Sequence, residues 1–326
     1  MNALEFLVVS LGTFAALNGI LVLGLNLQFG STGILNLSYF TTVAVGAYAT
    51  GVAELPPAPH GGLVQYVGGF NWPFPMAVAF GVVIACCFTF VLGGLAFLRL
   101  REDYLGLTLF SVQAGVLLIV TDYSPFLDGP RGVQGLSGPF QDQLSPTGFE
   151  VMYLGLSLVF VVATYVVIRN LDIAPLGRLF RAIREDEVAA AAVGKNSWRV
   201  KTTAFLFGGA TAGLGGALVA TYTGGWDPGA WQTPETLILL SAIVVGGRGR
   251  PLGALLGSVL LIEGINEAGL FIPTLGDRPD LLPALQGVAT ALALFAFLWW
   301  RPQGLLAERP ERLPKAAVVR TVQPTR

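Results

Sequence analysis

Apolar residues occur in long runs along most of this chain, separated by short segments rich in charge, proline or glycine. A helix needs about 20 apolar residues to cross a bilayer core, whereas strands rarely exceed ten residues. The runs predict nine spans, at residues 6–28, 31–53, 73–98, 104–121, 151–168, 200–222, 235–247, 252–270 and 281–300. We therefore expect an all-α, polytopic transmembrane helical bundle of about eight to ten spans.

Two of the predicted spans have features that argue against a continuous helix. Residues 235–247 are too few to cross a bilayer comfortably, and the span at 31–53 follows Gly30 and contains Gly33. Broken or re-entrant helices are tolerated at membrane depth only where they are buried in protein or line a cavity. These two segments are therefore the places where we expect irregular structure.

Composition agrees with a membrane environment. Charged residues make up 12% of the 326 residues, about half the share of a soluble globular protein. So little charge leaves too few polar groups to cover a water-exposed fold of this size. The net charge of −1 gives no sign of a nucleic-acid partner, so the lipid bilayer is the expected surrounding.

Few of the residue types that carry catalysis or bind metals are present. The single histidine, His60, and the adjacent Cys86 and Cys87 cannot supply the ligand spacing of a zinc site. The one Gly-Lys pair, Gly194-Lys195, lacks the first glycine and the final Ser or Thr of a phosphate-binding loop. We therefore predict no metal, no bound cofactor and no catalytic residue, so any ATP used must be hydrolysed by separate subunits.

Basic residues are distributed unevenly between the two sides of the membrane. When the spans are followed alternately, all but two of the 19 Lys and Arg residues fall on one side, the exceptions being Arg131 and Arg278. Basic loops remain in the cytoplasm. This predicts a bacterial inner-membrane protein with its N-terminus outside and its C-terminus inside. One transmembrane domain would cover residues 1–306, followed by a disordered cytoplasmic tail at 307–326.

The longest cytoplasmic loop, residues 176–199, has the pattern of a short surface helix. Phe180 and Ile183 recur on one side with Leu176, and Gly194 suits the position that follows a helix. The charged residues of the segment are Arg178, Arg181, Arg184, Glu185, Asp186 and Glu187. Such a helix either rests on lipid headgroups or docks onto a cytosolic protein. Three consecutive carboxylates are repelled by anionic lipid, which favours the protein partner.

Polar residues inside the apolar runs form two groups of candidates for a translocation pathway. The first is Glu263 and Glu267, which share a helical face with Asn266. The second surrounds the glycine-interrupted span and consists of Asn26, Gly30, Gly33, Asn36 and Ser38, with Asn18 and Gln28 nearby. An unwound helix there would present carbonyl groups to a zwitterionic substrate. The alternatives are that the carboxylates are solvated at the outer end of their span and that the polar groups join helices by hydrogen bonds.

Five segments, in order along the chain, resemble the branched-chain amino-acid permeases of ATP-binding-cassette importers, the LivH/LivM type. They are Gly30-Ser-Thr-Gly-Ile-Leu-Asn-Leu-Ser38 with Gly46-Ala-Tyr48, the run 181–190 with Gly194, the small-residue run 204–220, Val244-Val-Gly-Gly-Arg-Gly249 with 253–257, and Arg301-Pro-Gln-Gly-Leu-Leu306. The resemblance covers roughly residues 15–306, in register, and is most similar to the LivM-like members. Gly246-Gly-Arg-Gly-Arg-Pro251 departs from the family's pattern, in which Ser or Thr follows the last glycine.

The resemblance implies a permease fold like that of type II importers and a function in ATP-driven uptake of leucine, isoleucine and valine. It implies a second permease subunit, two cytosolic ATPase subunits that dock on the coupling segment 176–199, and a periplasmic binding protein that delivers substrate. The small-residue helix that follows contains Gly208, Gly209, Gly213 and Gly216, which suit either static packing or sliding of helices. Urea or short amides are alternative substrates, while a proton-coupled secondary transporter or a scaffold without transport are the alternative functions.

Overall fold

The computed structural model describes residues 3–57, 66–99, 102–141, 143–265 and 281–306. Most of these residues are helical, as predicted. The helices are α1 (Ala3–Asn26), α2 (Tyr39–Glu54), α3 (Phe74–Arg99), α4 (Glu102–Asp122), α5 (Ser124–Leu127), α6 (Pro146–Ile173), α7 (Pro175–Glu185), α8 (Glu187–Ala192), α9 (Ser197–Thr223), α10 (Thr233–Gly246), α11 (Pro251–Ser258) and α12 (Leu281–Trp300). Two short strands, β1 (Val133–Gln134) and β2 (Gly225–Trp226), pair antiparallel.

Five of the described helices are long and apolar enough to cross a membrane, namely α1, α3, α4, α6 and α9. The helices α10 and α11 pass the same test only as a pair, which is bent by 120° between residues 246 and 251. The α10 helix has 14 residues, about 21 Å, and is therefore shorter than a bilayer core of about 30 Å. The prediction of a polytopic helical membrane protein is confirmed.

Of the two segments expected to be irregular, 31–53 is interrupted, whereas 235–247 forms the regular but short helix α10. The α1 helix continues through a π-helical turn, Leu27–Ser31, and residues 32–38 form no helix. The predicted start of the second span at residue 31 is therefore wrong, because α2 begins only at Tyr39. A second π-helical turn, Val259–Glu263, extends α11. Single π-helical turns are rare and are frequently found at functional sites.

The connecting segments lie in two groups at opposite ends of the bundle. One end, which we call the basic end, contains α7, α8, the π-helical turn of α1, the turn 247–250 and residues 301–306. Residues 301–306 are held there because the backbone of Leu305 donates to the carbonyl of Val245 (2.8 Å). At the opposite end, Val133 pairs with Trp226 across β1 and β2. Among the basic residues with described side chains, Arg131 is the one that lies at this opposite end. The predicted separation of charge is therefore present in the fold.

Glycines allow α9 to cross α2 and α3 with little space between the backbones. A Cβ atom on Gly46 of α2 would lie 2.5 Å from the Cα atom of Gly213, and one on Gly216 would overlap the carbonyl oxygen of Val43. A Cβ on Gly208 would overlap the side chain of Gln28, and one on Gly209 that of Thr89. All four glycines predicted to pack helices are therefore in close contact, which places α9 in the centre of the bundle.

Candidate functional site

The segment predicted as one surface helix forms two, α7 and α8, which meet at Asp186. The backbone of Asp186 is extended, and its Oδ1 accepts a hydrogen bond from the backbone of Ala189 (2.9 Å), so it ends α7 and caps α8. Gly194 follows α8 with φ +79°, the left-handed conformation expected after a helix. The side chain of Asn196 then caps α9 by accepting from the backbone of Arg199 (3.0 Å). The α8 helix is thus joined to α9 by only four residues, 193–196.

The charged residues of this segment divide into an outward set and an inward set. The outward, exposed residues are Arg178, Glu185 and Asp186, with Gly194; the half-buried, inward residues are Arg181, Arg184 and Glu187. The apolar side is buried, because Phe180, Ile183 and Ala190 pack with residues of α1, α6 and α9. The predicted apolar face is confirmed, but the structure separates charged residues that the sequence pattern treated as one group.

Arg184 reaches from α7 to the π-helical turn of α1. Its Nη1 donates to the carbonyl oxygen of Gly30 (2.6 Å), and its side chain is only 14% exposed. The aliphatic part of the side chain passes Gly33, where a Cβ atom would lie 3.0 Å from Cγ of Arg184. The structure therefore brings together two sets of residues that sequence analysis assigned separately, to coupling and to translocation.

Two further side chains bind the same turn from other parts of the chain. Ser31 Oγ donates to Asp172 Oδ1 (3.0 Å) near the end of α6. The guanidinium of Arg248, in the turn between α10 and α11, lies 4.3 Å from the centre of the Phe29 ring and donates to the Phe29 carbonyl oxygen (3.4 Å). The turn is thus bound by a carboxylate and two arginines from three separate segments.

Asn26 and Gly249 complete the contacts of this turn. The backbone of Gly249 donates to Asn26 Oδ1 (3.1 Å), and a Cβ atom on Gly30 would lie 2.5 Å from the nitrogen of Gly249. Asn26 is fully buried, and its Nδ2 has no hydrogen-bond partner in the described chain. We call this set of residues the π-turn junction: Asn26, Leu27–Ser31, Asp172, Arg184, Arg248 and Gly249.

The polar residues that follow the junction are buried and bonded to one another. Gln28 Nε2 donates to the carbonyl of Phe205 in α9 (3.0 Å), and its Oε1 accepts from Asn36 Nδ2 (2.9 Å). Asn36 Oδ1 in turn accepts from the backbone and the hydroxyl of Ser38 (3.0 and 2.9 Å). These groups join α1, α9 and the start of α2 by hydrogen bonds, which was the alternative to a role in the pathway. Their part in translocation stays a prediction.

An ion pair connects α8 to α9. Lys201 Nζ lies 2.8 Å from Glu187 Oε2, and the Lys201 side chain is 8% exposed. The pair thus joins α8, in the segment predicted to couple to an ATPase, to the central helix α9. Glu187 is therefore directed at α9, and 37% of its side chain is exposed.

Replacing Lys201 with methionine is expected to loosen α8 from α9. Removal of the cation leaves Glu187 without this partner, at a cost of about 0.5–1 kcal/mol, because the carboxylate is 37% exposed and can be hydrated. We expect the backbone amides of residues 187–194 to exchange hydrogen about two- to fivefold faster, as measured by mass spectrometry. Lys195→Met, at an exposed position, is the matched control. Equal exchange in the two variants would show that the pair contributes nothing.

Glu263 is buried within the described part of α11 and its π-helical turn. Its side chain is 8% exposed, and Oε1 accepts from Asn18 Nδ2 (2.8 Å). Asn18 is at the midpoint of the apolar helix Glu5–Ser31, so this carboxylate lies near the middle of the span. The structure thus favours a buried Glu263 over one that is solvated at the outer end of its span, and its role in translocation stays a prediction. The other residues of the predicted group, Asn266 and Glu267, lie outside the described residues, as does the tail at 307–326.

Sequence reasoning missed several residues that the fold brings to these sites. Asp172, Arg248 and Gly249 join the π-turn junction. Arg248 and Gly249 lie in the segment 244–249 that carries the resemblance, but nothing in the sequence connected that segment with the end of α1, and Asp172 had no signal beyond its charge. Glu235, in the first turn of α10, was not singled out either, and an acidic residue at the start of an apolar run is the signal that would have found it.

Comparison with known proteins agrees with this picture of a membrane permease. Residues 7–300 match the family model described as branched-chain amino acid transport system, permease component. The chain is 30% identical to the high-affinity branched-chain amino acid transport system permease protein LivM of Escherichia coli (strain K12), covering 91% of this chain and 69% of that protein. It is 29% identical to the LivM protein of Salmonella typhimurium, with the same coverage. A probable LivM permease of Methanocaldococcus jannaschii is 26% identical, over 89% of this chain and 90% of that protein. No solved structure matches the chain.

Proposed function

This chain belongs to the family of permease components of branched-chain amino acid transport systems, and on that premise we propose that it is the membrane-spanning subunit of an ATP-driven importer. Its substrate would be leucine, isoleucine and valine, as the names of the matched relatives support. ATP would be hydrolysed by two cytosolic partner subunits and not by this chain. The observation that carries the proposal is the exposed surface of α7 and α8.

That surface combines apolar and charged side chains outside the membrane-spanning helices. Val188 and Val193 are 80% and 73% exposed, and Glu185 and Asp186 are exposed beside them. Exposed branched apolar residues bordered by charge are typical of a protein interface. Carboxylates in the same place are unfavourable next to anionic lipid. We define Arg178, Glu185, Asp186, Val188, Ala189 and Val193 as the docking patch and assign it to an ATPase subunit.

Movement of the docking patch would be passed to the centre of the bundle. The α8 helix is joined to α9 by residues 193–196 and by the ion pair of Glu187 with Lys201. The α9 helix crosses α2 and α3 on glycines, and small residues let packed helices slide without interlocked side chains. Closure of an ATPase dimer would therefore shift α9 and change access to the substrate path.

The remaining partners and the orientation follow from the same premise. The basic end faces the cytoplasm of a bacterial inner membrane, because basic segments are retained there. The N-terminus of α1 and the paired strands β1 and β2 then face the periplasm, where a binding protein would deliver substrate. A second permease subunit would complete the translocation path in the membrane.

Neither alternative function gains support. The family match and the names of the relatives favour branched-chain amino acids over urea or short amides. A secondary carrier needs no cytosolic docking surface, whereas α7 and α8 present one. A scaffold without transport is not favoured either, because the family model and the matched relatives are described as permeases of transport systems.

Val188→Asp is the substitution that tests the docking patch. Burying an unpaired carboxylate in an apolar part of a protein interface costs several kcal/mol of binding free energy. We therefore expect at least a tenfold loss of ATPase association and of ATP-driven uptake. The subunit is expressed with its genomic neighbours and purified by an affinity tag on this chain, and the ATPase that copurifies is quantified. Glu185→Lys is expected to weaken the same association severalfold.

The matched control is Val67→Asp, an exposed valine (58%) in the segment that lies at the opposite end of the bundle. It introduces the same charge and should leave the amount of copurified ATPase unchanged. Normal ATPase recovery and normal uptake with Val188→Asp would refute the docking assignment. Uptake that follows a proton gradient and does not require ATP would instead support a secondary carrier.

A further inference from the structure

We infer that Arg184 is a positioning residue that transmits movement of the docked segment to α1, and that it does not itself contact the ATPase. The inference rests on the proposed function, because it takes α7 and α8 to be the docked segment. The first connection between the docking patch and the membrane-spanning helices runs through α8 to α9, and Arg184 would provide a second one, to α1. The connection is the π-turn junction, in which Arg184 of α7 binds the end of α1.

The end of α1 is suited to receive such a connection. The carbonyl groups in the last turn of a helix have no partner further along that helix, so they must be satisfied from elsewhere. Gly30 meets this need through Arg184, with a nitrogen–oxygen distance of 2.6 Å. The Phe29 carbonyl accepts from the backbone of Gly33 (3.2 Å) and also from Arg248 (3.4 Å). A π-helical turn also places an extra residue in the helix, which makes it a natural point of bending.

The geometry of Arg184 distinguishes it from the residues of the docking patch. Its side chain is 14% exposed, whereas that of its neighbour Glu185 is 76% exposed. Nη1 of its guanidinium donates to the Gly30 carbonyl, while Nη2 lies 4.0 Å from Glu185 Oε1. Its stem lies against Gly33, whose φ of +78° and lack of a side chain leave room for it. A residue held in this way is not free to meet a cytosolic subunit.

The junction is held by contacts that can be remade. Arg184, Asp172 and Arg248 each contribute a hydrogen bond from a charged group to the turn. Nδ2 of Asn26 is buried without a partner in the described chain, although unsatisfied buried donors are unfavourable. We take this donor to be the group that a second arrangement of the junction satisfies, with movement of α7 selecting between the two arrangements.

The experiment uses the whole transporter in proteoliposomes, with both permease subunits, the ATPase and the binding protein. Arg184→Met is compared with Arg184→Lys and with Arg199→Met, an exposed basic position at the start of α9 outside the docking patch. Four quantities are measured: ATPase recovered with the complex, the thermal stability of the complex, the stimulation of ATP hydrolysis by loaded binding protein, and substrate taken up per ATP hydrolysed.

With Arg184→Met we expect normal ATPase recovery, a tenfold lower uptake per ATP and loss of stimulation by the binding protein. Arg184→Lys keeps a cationic donor and should restore at least a third of the uptake, while Arg199→Met should behave as the unaltered protein. Loss of ATPase recovery with Arg184→Met would show that Arg184 is a docking residue and overturn the inference. A fall in thermal stability with unchanged uptake per ATP would show a static anchor and overturn it as well. Failure of the unaltered complex to bind an ATPase would refute the proposed function itself.

Discussion

Valine in place of Gly216 is expected to leave almost no folded protein in the membrane. A Cβ atom at this position overlaps the carbonyl oxygen of Val43, which belongs to the backbone of α2 and cannot rotate away. Overpacking of side chains costs about 1–3 kcal/mol, and a backbone clash costs more because two helices must separate. The neighbouring crossing of Gly46 and Gly213 would open at the same time. Against a total stability of about 5–15 kcal/mol, this is a large loss.

The measurement is the yield of monodisperse protein after mild solubilisation, with Gly115→Val as the matched control. Gly115 lies in α4, and nothing lies within 4 Å of the position that its Cβ would occupy. This control introduces the same residue into another apolar helix and should reduce the yield by less than twofold. Equal yields from the two variants would show that the α2–α9 crossing does not depend on a missing side chain.

Leucine in place of Asn18 is expected to destabilise the protein through Glu263. The substitution removes a donor 2.8 Å from a carboxylate that is only 8% exposed and lies near the middle of the span. A buried charged group that loses a hydrogen bond costs about 1–3 kcal/mol or more, and no water replaces the bond at this depth. We expect the midpoint of thermal unfolding in detergent to fall by at least 5 °C.

The interaction is isolated by a double-mutant cycle with Glu263→Leu. If the two side chains depend on each other, Asn18→Leu should cost little once the carboxylate has been removed, with a coupling energy of about 1 kcal/mol or more. Additive effects would show that Glu263 is stabilised by its other surroundings and that Asn18 is incidental. The same set of variants, assayed for uptake, tests whether Glu263 also belongs to the translocation path.

The structure changes the relation between the two predicted functional regions. The coupling segment and the glycine-interrupted span were separate predictions, and Arg184 joins them through a hydrogen bond to Gly30, 154 residues away in the chain. Arg184 contacts α1 and Glu187 contacts α9, whereas Glu185 and the exposed valines of the docking patch lie on the surface that we assign to a partner subunit. The roles of these residues in transport remain predictions that the variants above test.

The sequence by itself determined the class of protein, the approximate position of the helices and the separation of charge between the two ends. These properties depend on sums over many residues, since about 20 apolar positions in a row can satisfy their backbone only as a helix in lipid. It also indicated an interruption near Gly30 and Gly33 and a surface helix beyond Pro175. Local pattern was enough for these predictions.

Only the tertiary structure decided which polar groups meet. Asp172 and the adjacent Arg248 and Gly249 come from two distant segments to one turn of α1, and Asn18 meets Glu263 across 245 residues of chain. A hydrogen bond extends about 3 Å and depends on direction, so it is fixed by how helices pack and not by their own periodicity. Packing is in turn set by where glycines let backbones approach. For this reason the sequence located the helices, while the contacts that join coupling segment, α1 and α9 emerged only once the helices were assembled.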